Sequence, residues 1–433
     1  MKNLSLITAG LMAIGLVSTA SATTTYYITG SSAYRGNVNA ALLAGGSALG
    51  LDGASVTVPS TAYGVNASSL VFSNTISGNP ILIKTSFTGS EAGIASLVGA
   101  NGTTLIDPTT ANANAPIPGT PLPTFLGDNG TSTGANAGTH SPDLAMADTS
   151  QNVSRTTTPT LNTVGGAPVG IVQFVWMKGT NVSQVNYSHL ANLTIPQLNV
   201  LFGAGQLDLS FFTGVSDDYG TTIKLVGRNY GSGTRVNCLI ESLYGITKSV
   251  SQFAPNPTYA ANGSLNKVGI STSLTESSFV NIGNDGYDSG GGVANTLFST
   301  GTFACIPVGY IGLVDATTTV SGVSLTGSAL TGNISSGIEG GYSFPNPQVL
   351  TLNGVAYSDQ AIVNGAYDYY GHEHMYSGAF SNPNAVTFGG KLFTVLQSTL
   401  TGGVNGIPIV DLEADRPSEG DTGFVTPGYT ATN

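Results

Sequence analysis

Charge is scarce in this chain. Its 433 residues carry 12 Lys and Arg and 23 Asp and Glu, 8% of the whole, where a typical soluble domain has about 25%. The surface must then be built from Ser, Thr, Asn and Gly, a composition suited to a protein outside the cytoplasm. The balance is acidic, formally -11 at neutral pH, and no basic run occurs. Binding to nucleic acid or to an anionic membrane needs clustered cations, so neither partner is expected. Cysteine is nearly missing: Cys238 and Cys305 are the only two, too few for a zinc site by themselves. Histidine numbers four, and only His372-Glu373-His374 cluster. That spacing is not the H-E-x-x-H of a zinc-binding helix, and no metal or cofactor is expected.

What the chain does have is ample apolar material, 40% of residues, with 59 Gly and 20 Pro. That excludes disorder of the highly charged kind and leaves room for two or three domains. Residues 1–22 read as a secretory signal peptide. Lys2 gives a positive start, an apolar stretch runs from Leu4 to Val17, and Ala20-Ser21-Ala22 supplies small residues at the cleavage point. The stretch is too short for a membrane anchor, and no Cys lies near it to carry a lipid. In an oxidising compartment an isolated Cys pair is expected to form a disulfide. Cys238 to Cys305 would close a loop of more than sixty residues, a constraint of roughly 4 kcal/mol in the chain-entropy picture.

One order recurs along the chain: a strand, a Gly/Ser turn, a helix. Thr25 to Thr29 is strand-like, Gly30-Ser31-Ser32 turns, and Val38 to Leu43 is helical. Ile81 to Phe87, Gly89-Ser90-Glu91 and Ile94 to Val98 repeat it. So do Ile223 to Gly227, Gly231-Ser232-Gly233-Thr234, and the apolar stripe Val236, Leu239, Ile240, Leu243. This predicts an α/β fold with largely parallel sheets. Residues 101–141 and 315–340, rich in Gly, Thr, Ser and Asn, read as surface loops, the second with short antiparallel strands. Asp411 to Asp421 gathers five carboxylates and reads as a solvated tail, since its spacing is not that of an EF-hand.

Three turns that each place Ser or Thr and Gly at a helix N-terminus make a candidate anion site, because those termini leave N–H groups unpaired. Arg228, four positions before Ser232, is placed to grip a tetrahedral oxyanion through two parallel hydrogen bonds. Asp148 ends a strand-like segment. A carboxylate beside an anion makes sense if the anion carries a proton: it accepts from the hydroxyl of phosphate and repels sulfate.

These motifs together resemble the periplasmic phosphate-binding proteins of bacterial phosphate importers, within the two-lobed periplasmic-binding-protein superfamily (type II). Ile28 to Arg35 matches the family's first strand and turn, and Gly89-Ser90-Glu91-Ala92-Gly93 its G-S-S-G-G turn. Ala147-Asp148 matches A-S-D, and Arg228 to Thr234 matches R-x-D-G-S-G-T. Leu193-Thr194 to Gly203, Asn284-Asp285-Gly286 and Val308 to Gly312 follow as landmarks. The likeness covers about residues 24–315. It implies a cleft between a lobe of 23–168 plus 312–433 and a lobe of 169–311. It also implies phosphate contacts at Ser90, Asp148, Arg228, Ser232, Gly233 and Thr234. The family's Thr-Phe in the first loop is Tyr34-Arg35 here, which passes the hydroxyl contact to Ser32 or Tyr34 and offers Arg35 as a second cation. The implied function is a monomeric, periplasmic or secreted protein that captures inorganic phosphate without chemistry and hands it to an ABC permease. The alternatives are a binder of another oxyanion, a surface protein that keeps the fold, or a secreted phosphatase. Trp176 is read as core.

Overall fold

The computed structural model describes residues 23–58, 64–98, 122–179, 182–184, 186–259, 265, 275–298, 302–317 and 349–413. The expected signal peptide lies outside the described residues, as do 101–121 of the first loop, 318–340 of the second and the acidic stretch from 414 on. The described end of the first loop pairs Thr124–Phe125 with Gly138–Thr139.

A single mixed sheet of eleven strands runs through the molecule. In chain order these are β1 (Thr24–Gly30), β2 (Val56–Thr57), β3 (Ser69–Ile76), β4 (Asn79–Ser86), β5 (Leu144–Ala147), β6 (Asn162–Thr163), β7 (Gly170–Lys178), β8 (Gln206–Asp208), β9 (Thr222–Val226), β10 (Ile306–Gly312) and β11 (Tyr370–Ser377). They lie side by side as β8-β9-β10-β7-β11-β5-β1-β4-β3-β2, with β6 pairing β11. The helices that matter to the site are α1 (Arg35–Ala44), α2 (Ser90–Leu97), α3 (Ile195–Ala204), α4 (Gly233–Glu241), α5 (Gly290–Leu297) and α6 (Leu313–Thr317).

The strand–turn–helix order holds at β1–α1, β4–α2 and β9–α4, so the fold is α/β. The sheet is not largely parallel, however. β1 runs parallel to β4 and β5, and β9 to β10. β7 and β11 run antiparallel to each other and to their outer neighbours, β10 and β5. β3 and β4 form a hairpin whose turn residues Ser77 and Gly78 both have positive φ, 51° and 75°, the backbone twist that tight hairpins favour.

All nine residues of β7 and all seven of β10 are buried, as expected of strands covered on both faces. Trp176 on β7 is core, its ring 5.3 Å from that of Tyr310 and 5.9 Å from that of Phe202. α3 is held by a capping box, Thr194 with Gln197, and closed by Gly205 in the left-handed conformation.

Two strands join the flanks of the sheet. β7 pairs β11 through Gly170 to Gln173 and β10 through Phe174 to Lys178. β11 pairs β7 through Tyr370 to Glu373 and β5 through His374 to Tyr376. The C-terminal ends of β1, β4 and β5 on one flank, and of β9 on the other, open toward this middle, and the three turns meet there.

The expected disulfide is absent. Cys238 and Cys305 are both free and buried. Cys238, on α4, lies beside Tyr369, while Cys305 precedes β10 in the field of Lys224 and Glu276. Each packs into the core as a small apolar side chain.

Candidate functional site

The site is built where two flanks of the sheet touch through their turns. On the first flank β1 ends at Gly30, whose φ of 107° suits glycine, and the next amide, Ser31 N–H, is tied to Met146 O on β5 at 2.7 Å. β4 ends at the turn into α2, and Asp148 directly follows β5. On the second flank, β9 ends in the Arg228–Thr234 loop that opens α4.

Asp148 is the centre of the first group. It is 1% exposed. Ser90 Oγ donates to its Oδ1 at 2.5 Å and Thr234 Oγ1 to its Oδ2 at 3.1 Å. Its own N–H donates to Ser90 Oγ at 3.1 Å, and Asn237 Nδ2 donates to its carbonyl at 2.7 Å. Burial pushes the Asp148 carboxyl above the usual carboxylate range; the Ser90 hydroxyl, Arg228 and Thr234 pull it back. A side chain on Gly233 would overlap Asp148 Oδ1 and come 2.7 Å from Ser90 Cβ, so glycine is what lets the α4 N-terminus reach the carboxylate.

Arg228 is the centre of the second. It is 1% exposed. Its Nε donates to Tyr287 O at 3.2 Å, and its Nη2 to Ser32 Oγ and to Asp288 O, each at 3.1 Å. Nη1 has no hydrogen-bond partner. Desolvation draws the guanidinium below its usual pKa, and Asp315 and then Asp148 act against it. The loop itself is pinned from behind. Arg235 donates to Arg228 O at 3.1 Å and to Asn284 O at 2.6 Å, and Tyr287 N–H donates to Gly227 O at 3.0 Å. Gly286 lies so close to Arg228 that a Cβ there would sit 2.5 Å from the Arg228 carbonyl carbon. This gives Asn284-Asp285-Gly286 a positioning role.

The expected residues divide. Ser32, Ser90, Asp148, Arg228, Gly233 and Thr234 are joined in one buried polar cluster. Ser232 caps α4 by accepting from Arg235 N–H at 3.2 Å. Tyr34 turns away, toward Val172, Gln173, Leu313 and Gly406, and burial raises its hydroxyl pKa above the usual range. Arg35 is engaged elsewhere: it meets Asp315 Oδ1 at 2.9 Å, Asn66 O at 2.7 Å and the Ser32 carbonyl. The N–H groups at the start of α2 are also engaged, since Glu91 and Ala92 donate to Gly231 O at 3.1 and 3.4 Å. Glu91, fully buried, meets Arg155 at 3.7 Å, and Arg155 lies 3.6 Å from the centre of the Tyr230 ring.

Sequence reasoning missed the polar atoms that remain open. Ser31 Oγ, Thr149 Oγ1, Ser289 Oγ and Asp315 Oδ2 are buried and, with Arg228 Nη1, have no hydrogen-bond partner among the described residues. Ser31 and Thr149 adjoin residues already singled out. Ser289 carried a legible sign, the Ser289-Gly290-Gly291-Gly292 run that opens α5.

No family model and no curated protein matches the chain. Three solved structures are similar to it overall. One is assigned as a phosphate ABC transporter substrate-binding protein, with bound phosphate, from Clostridium perfringens. It is 12% identical, covers 86% of this chain and 98% of its own, and has a TM-score of 0.40. An ABC-type phosphate transport receptor from Vibrio cholerae is 12% identical over 85% and 93%, at 0.39. PstS from Borrelia burgdorferi is 10% identical over 85% and 92%, at 0.35. At these scores no residue of this chain is matched to one of theirs, and the site stands on its own geometry. No helix among the described residues is long and apolar enough to cross a membrane.

Proposed function

We propose that this chain is an extracytoplasmic, monomeric binding protein that captures inorganic phosphate between lobes of residues 23–168 with 312–433 and of residues 169–311, and delivers it to an ABC-type permease. The observation that carries the reading is Arg228. A guanidinium 1% exposed, with one N–H group open and a carboxylate 1% exposed beside it, is costly to bury unless a further polar partner completes it. A tetrahedral oxyanion bearing a proton does so: its bare oxygens accept from Arg228 and the serine hydroxyls, and its hydroxyl donates to Asp148. Bulk negative charge does not oppose this, because surface charges are screened beyond about 8–10 Å at physiological salt.

A second reading, a surface protein that keeps the fold, is favoured by one feature. Ser90, Thr234 and Ser32 already bond to Asp148 and Arg228, so part of the cluster is satisfied from within. Calorimetric titration separates the two. The folded protein should bind phosphate at micromolar strength or tighter with sulfate failing to compete, and Arg228→Ala should abolish the heat. A folded sample that binds no phosphate favours the surface protein, and unchanged affinity in Arg228→Ala removes that residue from the site.

A further inference from the structure

We infer that the bound anion is the singly charged form carrying two hydroxyls, and that Asp315, with Ser289 and the glycine-rich start of α5, forms the second half of its site. The inference rests on the phosphate reading and adds the protonation state and the residues that select it.

The turn Asp288-Ser289-Gly290-Gly291-Gly292 reaches the cluster through Arg228, whose Nη2 donates to Asp288 O at 3.1 Å. Asp315 reaches it from α6. Its Oδ1 is held by Arg35 at 2.9 Å, and Oδ2 has no hydrogen-bond partner although the residue is 1% exposed. Among the carboxylates that act on Arg228, Asp315 has the largest influence, ahead of Asp148. Ser289, 4% exposed, does not use its hydroxyl to cap α5 and has no partner for it. The two side chains flank one point: a Cβ on Gly291 would lie 3.6 Å from Asp315 Oδ1 and 3.7 Å from Ser289 Oγ. Gly290 is closer still, and any side chain there would overlap Asp315 Oδ2.

The helix start therefore carries three independent open groups around it: a hydroxyl, a carboxylate oxygen and the free N–H of Arg228. The charges present decide the ligand. Asp315 faces Arg35 and Arg228. Asp148 faces Arg228, with Glu91 and its partner Arg155 behind it. Asp288 also acts on Arg228, and the buried Arg235 lies against the Arg228 carbonyl with Asp285 beyond it. The guanidinium groups of Arg35, Arg228 and Arg235 thus meet the carboxylates of Asp315, Asp148, Asp288 and Asp285, which leaves no positive charge in excess. A dianion would bring two uncompensated charges into a buried space. A monoanion brings one, and its two hydroxyls find two carboxylate acceptors, Asp148 on one side and Asp315 on the other. Its two bare oxygens are left for Arg228 Nη1, the Ser31 and Ser289 hydroxyls and the amides of α5.

The test is titration with inorganic phosphate across a range of pH. In the wild type, Kd should weaken about tenfold per pH unit above the second ionisation of phosphate, because the bound form carries one proton more than the form in solution. Asp315→Asn should flatten that slope. Gly291→Ala adds only a methyl at ordinary contact distance, so it should leave Tm unchanged or raised while weakening phosphate at least tenfold. It keeps the test available if Asp315→Asn does not fold. Binding independent of pH, or wild-type affinity in Gly291→Ala, overturns this inference and leaves the phosphate reading standing. A folded wild type that binds no phosphate at any pH overturns both.

Discussion

At the scale of single residues, Asp148 shows how one side chain serves two ends. It links the flanks, through Ser90 on one side and Thr234 on the other, and under the proposed function it is the group that would read a ligand's proton. Asp148→Asn keeps the size and one acceptor but turns the other oxygen into a donor. A donor no longer repels sulfate or accepts from the hydroxyl of phosphate. Competition titration should therefore show the preference for phosphate over sulfate falling at least about tenfold, or ~1.4 kcal/mol. A ratio equal to that of the wild type would remove Asp148 from selection. The same residue shows what was legible in advance. Arg228, Ser232, Gly233 and Thr234 stand within seven positions of one another, so a single stretch betrayed them. Asp315 has no such neighbours, and the glycine run after Ser289, though legible, is one of many in a chain with 59 glycines. Only the packing of α5 and α6 against β10 brings them to Arg228. The disulfide reading failed for a related reason: counting cysteines gives a pair, but the fold buries each thiol unpaired among different neighbours.

At the scale of elements, β7 carries a load the site does not use. Lys178, at its end, is 3% exposed. Its ammonium donates to Leu190 O at 2.7 Å and Tyr187 O at 2.9 Å, and lies 4.0 Å from the Tyr187 ring centre, with no carboxylate paired to it among the described residues. Burial pushes its pKa down to about 8. Between that value and about 10.4, where a free lysine titrates, the unfolded chain binds more protons than the folded one, so stability rises with pH across the window. Thermal unfolding of wild type and Lys178→Met, followed from about pH 7 to about pH 10, should show the difference moving toward the wild type by up to about 2 kcal/mol. A constant difference would mean that Lys178 titrates normally. The elements around the three turns were readable from hydrophobic period and turn chemistry. The antiparallel runs of β7 and β11 were not, because an all-apolar strand such as Gly170 to Lys178 reads the same in either direction.

At the scale of the whole molecule, the two thiols give a direct check on the interior. Burial raises Cys305 to about 12 and holds Cys238 well above the usual thiol range, and it is the thiolate that reacts. An aromatic disulfide reagent should find essentially no reactive thiol in the native protein and both thiols after denaturation without reductant. Loss of that signal in the unreduced, denatured chain would reinstate the bridge. The larger consequence lies in how the flanks are joined. β7 and β11 are bonded to each other as well as to their outer partners, so the flanks share a two-stranded ribbon and not a pair of separate tethers. Gly371 on that ribbon lies so close beneath Asp148 that any side chain there would overlap the Asp148 carbonyl. Any separation of the flanks would thus have to twist a bonded ribbon and strain the ladder that joins β7 to β11, so the cost of parting them is carried by backbone hydrogen bonds and not by a loose linker.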